Sequence, residues 1–151
     1  MKSFFPEGEA LASDTLETRL RTIARQLDYI INNTTVKKQL FVVCQGVSKI
    51  PLPTAHIAFV YCKMKMNFLV DFAGNRYKID MTLNEFESQV DCRKFFRALR
   101  GMIVNIDAIS EFRTIECSKI ALGILKNKYV ATPVVISQVT APRFRDWINS
   151  L

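Results

Sequence analysis

Residues 82–109, which read TLNEFESQVDCRKFFRALRGMIVNIDAI, combine one short helix with a strand and decide how the rest of the chain is interpreted. Thr82 is a good N-cap and Glu85 stands three residues later, so the pair predicts a capping box at the start of the helix. The helix has an apolar stripe formed by Leu83, Phe86 and Val90. The run Met102–Ile106 then predicts a short strand, so this helix stands between strands rather than between other helices.

Outward from this stretch, the chain is predicted to be mainly β. Further strands are expected at Gln39–Cys44, Val47–Leu52, Ile57–Cys62, Asn67–Phe72, Arg76–Met81, Ala108–Glu116, Lys119–Lys126 and Tyr129–Ile136. Asn127-Lys128 is expected to be a tight turn between the last two strands. A helix with Pro142 in its first turn is predicted to end the chain. Neither a regular alternation of strands and helices nor a glycine-rich phosphate loop is present, which argues against a nucleotide-binding α/β fold.

The positive charge is concentrated in the longer part of this 151-residue chain. The chain has 21 basic and 14 acidic residues, a formal net charge of +7. Residues 1–37 contain five of each sign, so the whole excess belongs to residues 38–151. We therefore predict two parts, a neutral segment 1–37 and a basic domain 38–151. A basic domain suggests a polyanionic partner, nucleic acid first, although a solvated basic surface is the simpler explanation.

The segment 1–37 is predicted to be a loop followed by one amphipathic helix from Asp14 to Asn33. Asp14 is expected to cap the helix and Glu17 to complete a capping box. Spacings of four and three residues mark an apolar seam of about two heptads, formed by Leu16, Leu20, Ile23, Leu27 and Ile30. Such a seam either packs against the adjacent domain, forms a homodimer, or connects to a domain outside this chain.

The residue composition argues against several classes of function. The single histidine, His56, excludes multi-histidine metal sites, and the four cysteines lack the spacing of a zinc or redox motif. Their number, without a secretory signal, favours buried thiols in the reducing cytoplasm. No apolar run is long enough for a membrane span. No acid/base pair is evident, so we expect neither an enzyme nor a cofactor or metal site.

Three blocks of the domain resemble segments of a known family, and they follow one another in the same order as in that family. They are residues 57–77, with a lysine-containing loop between two strands; residues 82–109, the most specific block; and residues 134–148. The pattern resembles the LytTR DNA-binding domain found at the C-terminus of LytR/AlgR-type bacterial response regulators, most closely in Bacteroidetes-type versions. The resemblance covers about residues 38–151. It implies a mainly β fold, with about ten short strands in small elongated antiparallel sheets and short helices.

The resemblance also implies a function and a set of contact residues. It implies a cytoplasmic, sequence-specific transcriptional regulator that binds double-stranded DNA through loops rather than through a recognition helix. Carried over residue by residue, the DNA contacts fall on Lys63, Lys65, Asn67, Arg97, Arg100, Ser137 and Gln138. Independently of the family, lysines suit phosphates, arginine reads guanine with two hydrogen bonds, and glutamine reads adenine in the same way.

The departures from the family pattern leave two functions open. Leu99 stands where the family has a polar residue, Gly101 where it has Ser or Gln, and Gln138 where it has Arg. These changes affect base reading more than phosphate binding. The alternative is therefore a diverged domain that acts mainly through protein–protein interaction. Arg97, in turn, either contacts DNA or anchors the adjacent turn through an ion pair.

A response regulator of this kind also needs an input. A phosphorylatable receiver domain requires more than a hundred residues in alternating strands and helices, and residues 1–37 are too few to form one. We therefore expect either a stand-alone regulator or a part of a longer two-component response regulator. In the second case a receiver domain or a sensor partner supplies the signal, and the Asp14–Asn33 helix is the linker.

Overall fold

The computed structural model describes residues 7–30 and 37–151, without the side chains of residues 7–15 and 28–30. The chain divides into two compact units, residues 1–37 and residues 38–151, and each is described by itself. We call the second unit the β domain. The loop predicted before residue 7 and the predicted helix end at Asn32-Asn33 lie outside the described residues.

The described residues of the first unit form one helix, α1, which spans Glu7–Ile30. It therefore begins seven residues before the predicted start, and the capping role predicted for Asp14 is wrong because Asp14 lies inside the helix. Residues 7–13 extend the helix because alanine, leucine and glutamate favour it, and acidic residues suit its N-terminal end. Glu17 instead pairs with Arg21 one turn later, at 3.7 Å.

Seven strands form the larger sheet of the β domain. They are β1 (Leu40–Gln45), β2 (Ser48–Pro53), β3 (Ile57–Lys63), β4 (Met66–Asp71), β5 (Arg76–Ile79), β6 (Phe95–Leu99) and β7 (Met102–Asn105). Their order across the sheet is β2-β1-β5-β4-β3-β7-β6, and every neighbouring pair is antiparallel. β3 is therefore a central strand, between β4 and β7.

One helix connects β5 to β6, and its predicted cap is confirmed. α2 spans Leu83–Gln89, and the Thr82 hydroxyl accepts a hydrogen bond from the Glu85 amide at 3.1 Å. Leu83 and Phe86 on this helix are buried, with Val90 directly after it. The capping signal thus fixes where the helix begins, and the apolar stripe fixes which side faces the sheet.

A smaller sheet and a terminal helix complete the domain. β8 (Ile109–Thr114), β9 (Ile120–Ile124) and β10 (Val134–Ile136) pair antiparallel in the order β10-β9-β8. α3 spans Ala141–Asn149, with the expected proline in its first turn. The ten strands in two antiparallel sheets, with short helices and one N-terminal helix, confirm the predicted fold class.

Successive residues of the central strands pack into two different cores. On one side of the larger sheet, Val60 and Leu69 pack in a cluster with Phe86 of α2. On the other side, Phe59 and Val70 belong to a cluster that includes β9, β10 and Phe144 of α3. Because side chains alternate across a strand, apolar residues at consecutive positions are what a strand covered on both faces requires. Residues 57–61 of β3 are accordingly all buried. The prediction of buried thiols is wrong, because Cys62, Cys92 and Cys117 are exposed and Cys44 is only partly buried.

The connection between the last two strands differs from the prediction. A strand over Tyr129–Ile136 after a tight turn at Asn127-Lys128 is wrong, because β9 ends at Ile124 and β10 begins only at Val134. The Asn127 side-chain oxygen accepts hydrogen bonds from the amides of Tyr129 and Val130, both at 2.8 Å. These bonds hold the backbone in an Asx turn and remove two donors that a ladder would need.

Candidate DNA-binding surface

The β3–β4 hairpin has a two-residue turn with two lysines. Lys63 and Met66 are directly paired, so Met64 and Lys65 form the turn. Their φ angles are +53° and +64°, which is the left-handed conformation that a two-residue type I′ turn needs at both positions. Lys63 and Lys65 are exposed, and neither forms an ion pair with any described residue. The hairpin tip is therefore cationic.

Asn67 connects the hairpin to the segment that precedes α2. Its side-chain amide donates to the backbone carbonyl of Met81 at 2.7 Å, and the residue is half-buried. Asn67 is also paired with Ile79 across β4 and β5. One end of the side chain therefore has a structural partner, which fixes the side chain beside the turn.

Arg97 holds the β6–β7 turn against α2. Its Nε donates to the carbonyls of Leu99 at 3.2 Å and Arg100 at 3.0 Å, and its Nη2 also donates to the Arg100 carbonyl. Its Nη1 donates to Asn84 at 2.9 Å and to Glu87 at 3.0 Å. All three guanidinium nitrogens thus have protein partners, and the side chain is only 19% exposed. These contacts fit the anchoring role that the sequence left open for Arg97.

The side chain of Arg100, unlike that of Arg97, has no partner among the described residues. It is exposed at the turn, its carbonyl is fixed by Arg97, and no ion pair of the described residues includes it. Gly101 follows, and its carbonyl accepts from the amide of Cys62 at 2.9 Å, which joins the turn to β3. A Cβ on Gly101 would lie 3.8 Å from the Cys62 Cβ, an ordinary contact, so the turn has room for the side chain that the family has there.

Two open clefts bring most of the predicted residues together at one end of the larger sheet. A cleft of about 450 Å³ is bordered by Asn67, Arg97 and Arg100, together with the first residues of α2. A second, of about 330 Å³, is bordered by Lys65, Asn67 and Lys78. Lys63 belongs to the same hairpin. Five predicted residues thus share this surface, which we call the sheet-end surface: Lys63, Lys65, Asn67, Arg97 and Arg100.

The remaining two predicted residues lie in a separate turn. Ser137 and Gln138 are exposed between β10 and α3. The Ser137 carbonyl accepts from the amides of Thr140 at 3.1 Å and Ala141 at 2.8 Å, which closes the turn before the helix. No hydrogen bond among the described residues joins them to the sheet-end surface, and neither of the two clefts above is bordered by them.

Comparison with known proteins identifies this architecture. A family model described as the LytTr DNA-binding domain matches residues 48–149. The chain belongs to the LytTR family. Among solved structures, the chain is similar to the LytTr DNA-binding domain of a Bacillus cereus protein described as a methyl-accepting/DNA response regulator. The identity is 22%, the TM-score is 0.64, and the match covers 74% of this chain and 97% of the other. Comparison with curated proteins gives no match.

The match to the LytTR model confirms the resemblance that the three sequence blocks show. The family is one of DNA-binding domains. The 22% identity to the solved structure supports the shared fold alone. β1 lies before the matched segment, although it is hydrogen-bonded within the larger sheet of the LytTR domain.

Sequence reasoning missed a second arginine that organises the LytTR domain. The Arg76 guanidinium lies between the rings of Phe68, at 4.4 Å, and Tyr129, at 4.9 Å, and donates to the Tyr61 hydroxyl at 3.0 Å. The hydrogen bond to Tyr61 raises the pKa of Arg76. Stacking of this kind fastens the 125–133 connection to the sheet. The aromatic partners lie far apart in sequence, so no local pattern indicates the site.

Two features are absent from the described residues. These residues contain no group of three or more histidine, cysteine, aspartate or glutamate side chains arranged to hold a metal ion. None of the helices over these residues is long and apolar enough to cross a membrane.

Proposed function

We propose that this LytTR-family chain is a sequence-specific, double-stranded DNA-binding transcriptional regulator that acts in the bacterial cytoplasm. We further propose that it is the output part of a two-component response regulator, with a receiver domain or a sensor partner as its input. One observation carries the DNA-binding proposal. Three cations without ion-pair partners among the described residues lie in a turn or directly before one at the same end of the larger sheet: Lys63, Lys65 and Arg100.

The proposed contacts divide into phosphate binding and base reading. Lysine is a compact point charge that suits phosphates, whereas the arginine fork suits the two acceptors of guanine. Lys63 and Lys65 are therefore assigned to phosphates and Arg100 to a base. Asn67, with one end of its amide already used by Met81, retains an acceptor for a further contact. Ser137 and Gln138 are assigned to a second contact region.

Arg97 is assigned a positioning role. Its guanidinium donates to both residues that precede Gly101 and to two residues of α2. A group with these partners orients the turn from which Arg100 projects, and it has little capacity left for phosphate or base. Loss of Arg97 is therefore expected to weaken DNA binding through disorder of the turn rather than through a lost contact.

The experiment that tests this function begins with selection of bound duplexes from a random pool. Binding of the selected site and of a scrambled duplex is then measured by fluorescence anisotropy across a salt series. If five or six cations engage phosphates, the logarithm of affinity should fall with the logarithm of salt concentration with a slope of about −4.5 to −5.5. Absence of binding at micromolar protein would refute the proposal.

Three single variants separate the proposed roles. Arg100→Ala should cost about 1–3 kcal/mol on the selected site and relax the preference at one base step. Lys65→Ala should weaken both duplexes equally and reduce the salt slope by about one. Lys49→Ala is the matched control, because Lys49 is an exposed lysine on the edge strand β2, which is three strands from β4 in the sheet. Equal losses on both duplexes for Arg100→Ala would contradict its base-reading role.

The alternative function has one observation in its favour. Leu99, in the turn where the family has a polar residue, is 40% exposed, and Val135 nearby borders the same open groove. An exposed apolar turn suits a protein contact better than a phosphate contact. This diverged, protein-binding function becomes the preferred one if the anisotropy experiment detects no duplex binding.

We also propose that α1 forms a homodimer. Leu16, Leu20, Ile23 and Leu27 repeat at spacings of four and three residues, and each is between 48% and 56% exposed. A seam of this kind is the pattern by which two helices pair, and a dimer would present two LytTR domains to two half-sites on DNA. The same seam also supports a second proposal, in which α1 links the LytTR domain to a further domain.

A further inference from the structure

The tip of the β3–β4 hairpin has a residue that its backbone conformation disfavours. Met64 and Lys65 both adopt left-handed φ angles, at +53° and +64°. Glycine, asparagine and aspartate dominate such turns because a Cβ is sterically costly there, and methionine brings a long side chain to the first position. Residues kept in disfavoured conformations are concentrated at functional sites, so the Met64 side chain needs an explanation outside the turn.

Packing within the domain does not provide that explanation. Met64 is 85% exposed, although methionine is an apolar residue that usually fills gaps in a core. It stands between Lys63 and Lys65, which have no ion-pair partner among the described residues. The tip therefore presents one flexible apolar side chain with a positive charge on each side.

We propose that Met64 reads thymine, by packing its thioether against the C5-methyl group in the major groove while the adjacent lysines bind phosphates. This inference rests on the proposed DNA-binding function. The major groove admits a two-stranded β-ribbon, and the thymine methyl is the apolar group that a base edge presents there. The flanking lysines favour a polyanion over an apolar protein surface as the partner of this tip.

The test removes the methyl group from the DNA and the side chain from the protein. Duplexes carrying the selected site are made with each thymine replaced in turn by deoxyuridine, which lacks only the C5-methyl. Wild-type affinity should fall about fourfold at one thymine, the value expected for one buried methyl group. Met64→Gly should bind the unmodified site more weakly by a similar or larger factor and should show no further loss when that thymine is replaced.

Two controls keep the result specific. Val47→Ala changes a fully exposed apolar residue in the β1–β2 turn, which the strand register places toward the opposite end of the sheet, and it should bind as the wild type does. Met64→Gly should melt no lower than the wild type, because glycine suits the left-handed turn. A loss of binding by this variant is then a lost contact and not unfolding.

The outcomes distinguish this inference from the function on which it rests. If Met64→Gly binds the selected site as the wild type does, or remains sensitive to the same deoxyuridine substitution, Met64 does not read thymine and the DNA-binding proposal still stands. If equal losses occur on selected and scrambled duplexes, the side chain only adds general affinity and the inference is wrong. If the wild type binds no duplex, both proposals fall.

Discussion

Replacing Arg97 by alanine tests whether this residue holds the β6–β7 turn or contacts DNA. The substitution removes three bonds to the carbonyls of Leu99 and Arg100 and the two contacts with Asn84 and Glu87 on α2. The carbonyls of an exposed turn regain water, whereas the attachment of the turn to the helix is lost. We therefore expect a loss of stability in the β domain, and a weaker DNA affinity as a consequence.

The expected magnitude follows from the exposure of the groups. The Glu87 side chain is 45% exposed and that of Arg97 is 19% exposed, so the ion pair contributes about 0.5–1 kcal/mol after screening by solvent. Hydrogen bonds from a charged donor contribute about 1.5–3 kcal/mol, and the bonds to the turn carbonyls are shared by one guanidinium and count once. The free energy of unfolding should fall by about 2–4 kcal/mol, which corresponds to a melting temperature about 10–15 °C lower.

The assay is urea unfolding of wild type, Arg97→Ala, Glu87→Gln and the double variant. If the two residues interact as the structure indicates, the double variant loses about 0.5–1 kcal/mol less than the sum of the two single losses. Arg97→Lys should recover only a part of the loss, because one ammonium group lacks the fork that reaches both the helix and the turn.

The refuting result is specific. If Arg97→Ala unfolds at the same urea concentration as the wild type while its affinity for the selected duplex falls strongly, then Arg97 contacts DNA and does not position the turn. Equal stability together with equal affinity would show that the contacts around the guanidinium have no net effect.

Three further predictions concern the rest of the chain. Leu20→Glu and Leu27→Glu place charges on the α1 seam, so sedimentation should shift from dimer to monomer; an unchanged mass would reject the dimer. Burial and the hydrogen bond to Asp71 raise the pKa of Tyr77, so its contribution to stability is complete below about pH 10 and is lost at higher pH. Tyr77→Phe should therefore lose less stability than wild type between pH 9 and pH 11, measured by urea midpoints. Trp147→Phe removes the 2.8 Å hydrogen bond to the Cys92 carbonyl and should lower the free energy of unfolding by about 1 kcal/mol in the same assay. An unchanged free energy of unfolding would indicate that water replaces the bond.

Much of the fold follows from local patterns in the sequence. Period-two and continuous apolar runs mark the central strands, and Thr82 with Glu85 marks the start of α2, where the hydrogen bond is observed. The strand β6 gives no such signal, because Arg97 interrupts its apolar run. Residues 95–99 can be recognised as a strand only once the partners of Arg97 on α2 are known.

The misplaced elements have equally specific causes. The run at Tyr129–Val130 has the composition of a strand, but the Asn127 side chain takes the two amides that a strand would use. At α1, the capping signal of Asp14 is outweighed by the helix-forming residues that precede it. In both places a short-range preference competes with another, and composition does not say which prevails.

The turns that hold the candidate site residues are easier to recognise in the sequence than the roles of those residues. The lysines of the β3–β4 turn and Arg100 are conspicuous in sequence because they stand in turns beside apolar strands. Arg97 has the same appearance, and only its contacts with Asn84 and Glu87, residues on α2, separate it from Arg100. Whether an arginine binds a ligand or the protein depends on residues distant in sequence, so a single-sequence pattern leaves it open.

The way the central strands are buried explains why the proposed contacts lie in turns. Residues 57–61 of β3 and all four residues of β7 are buried, because α2 covers one face of these strands and the smaller sheet with α3 covers the other. A partner therefore has no access to the side chains of these strands along either face. It reaches them only at their ends, where β3 runs into Lys63 and the turn before β7 contains Arg100. Covalent continuity with these packed strands gives the exposed cations rigid backbones, which the proposed reading of DNA by loops requires.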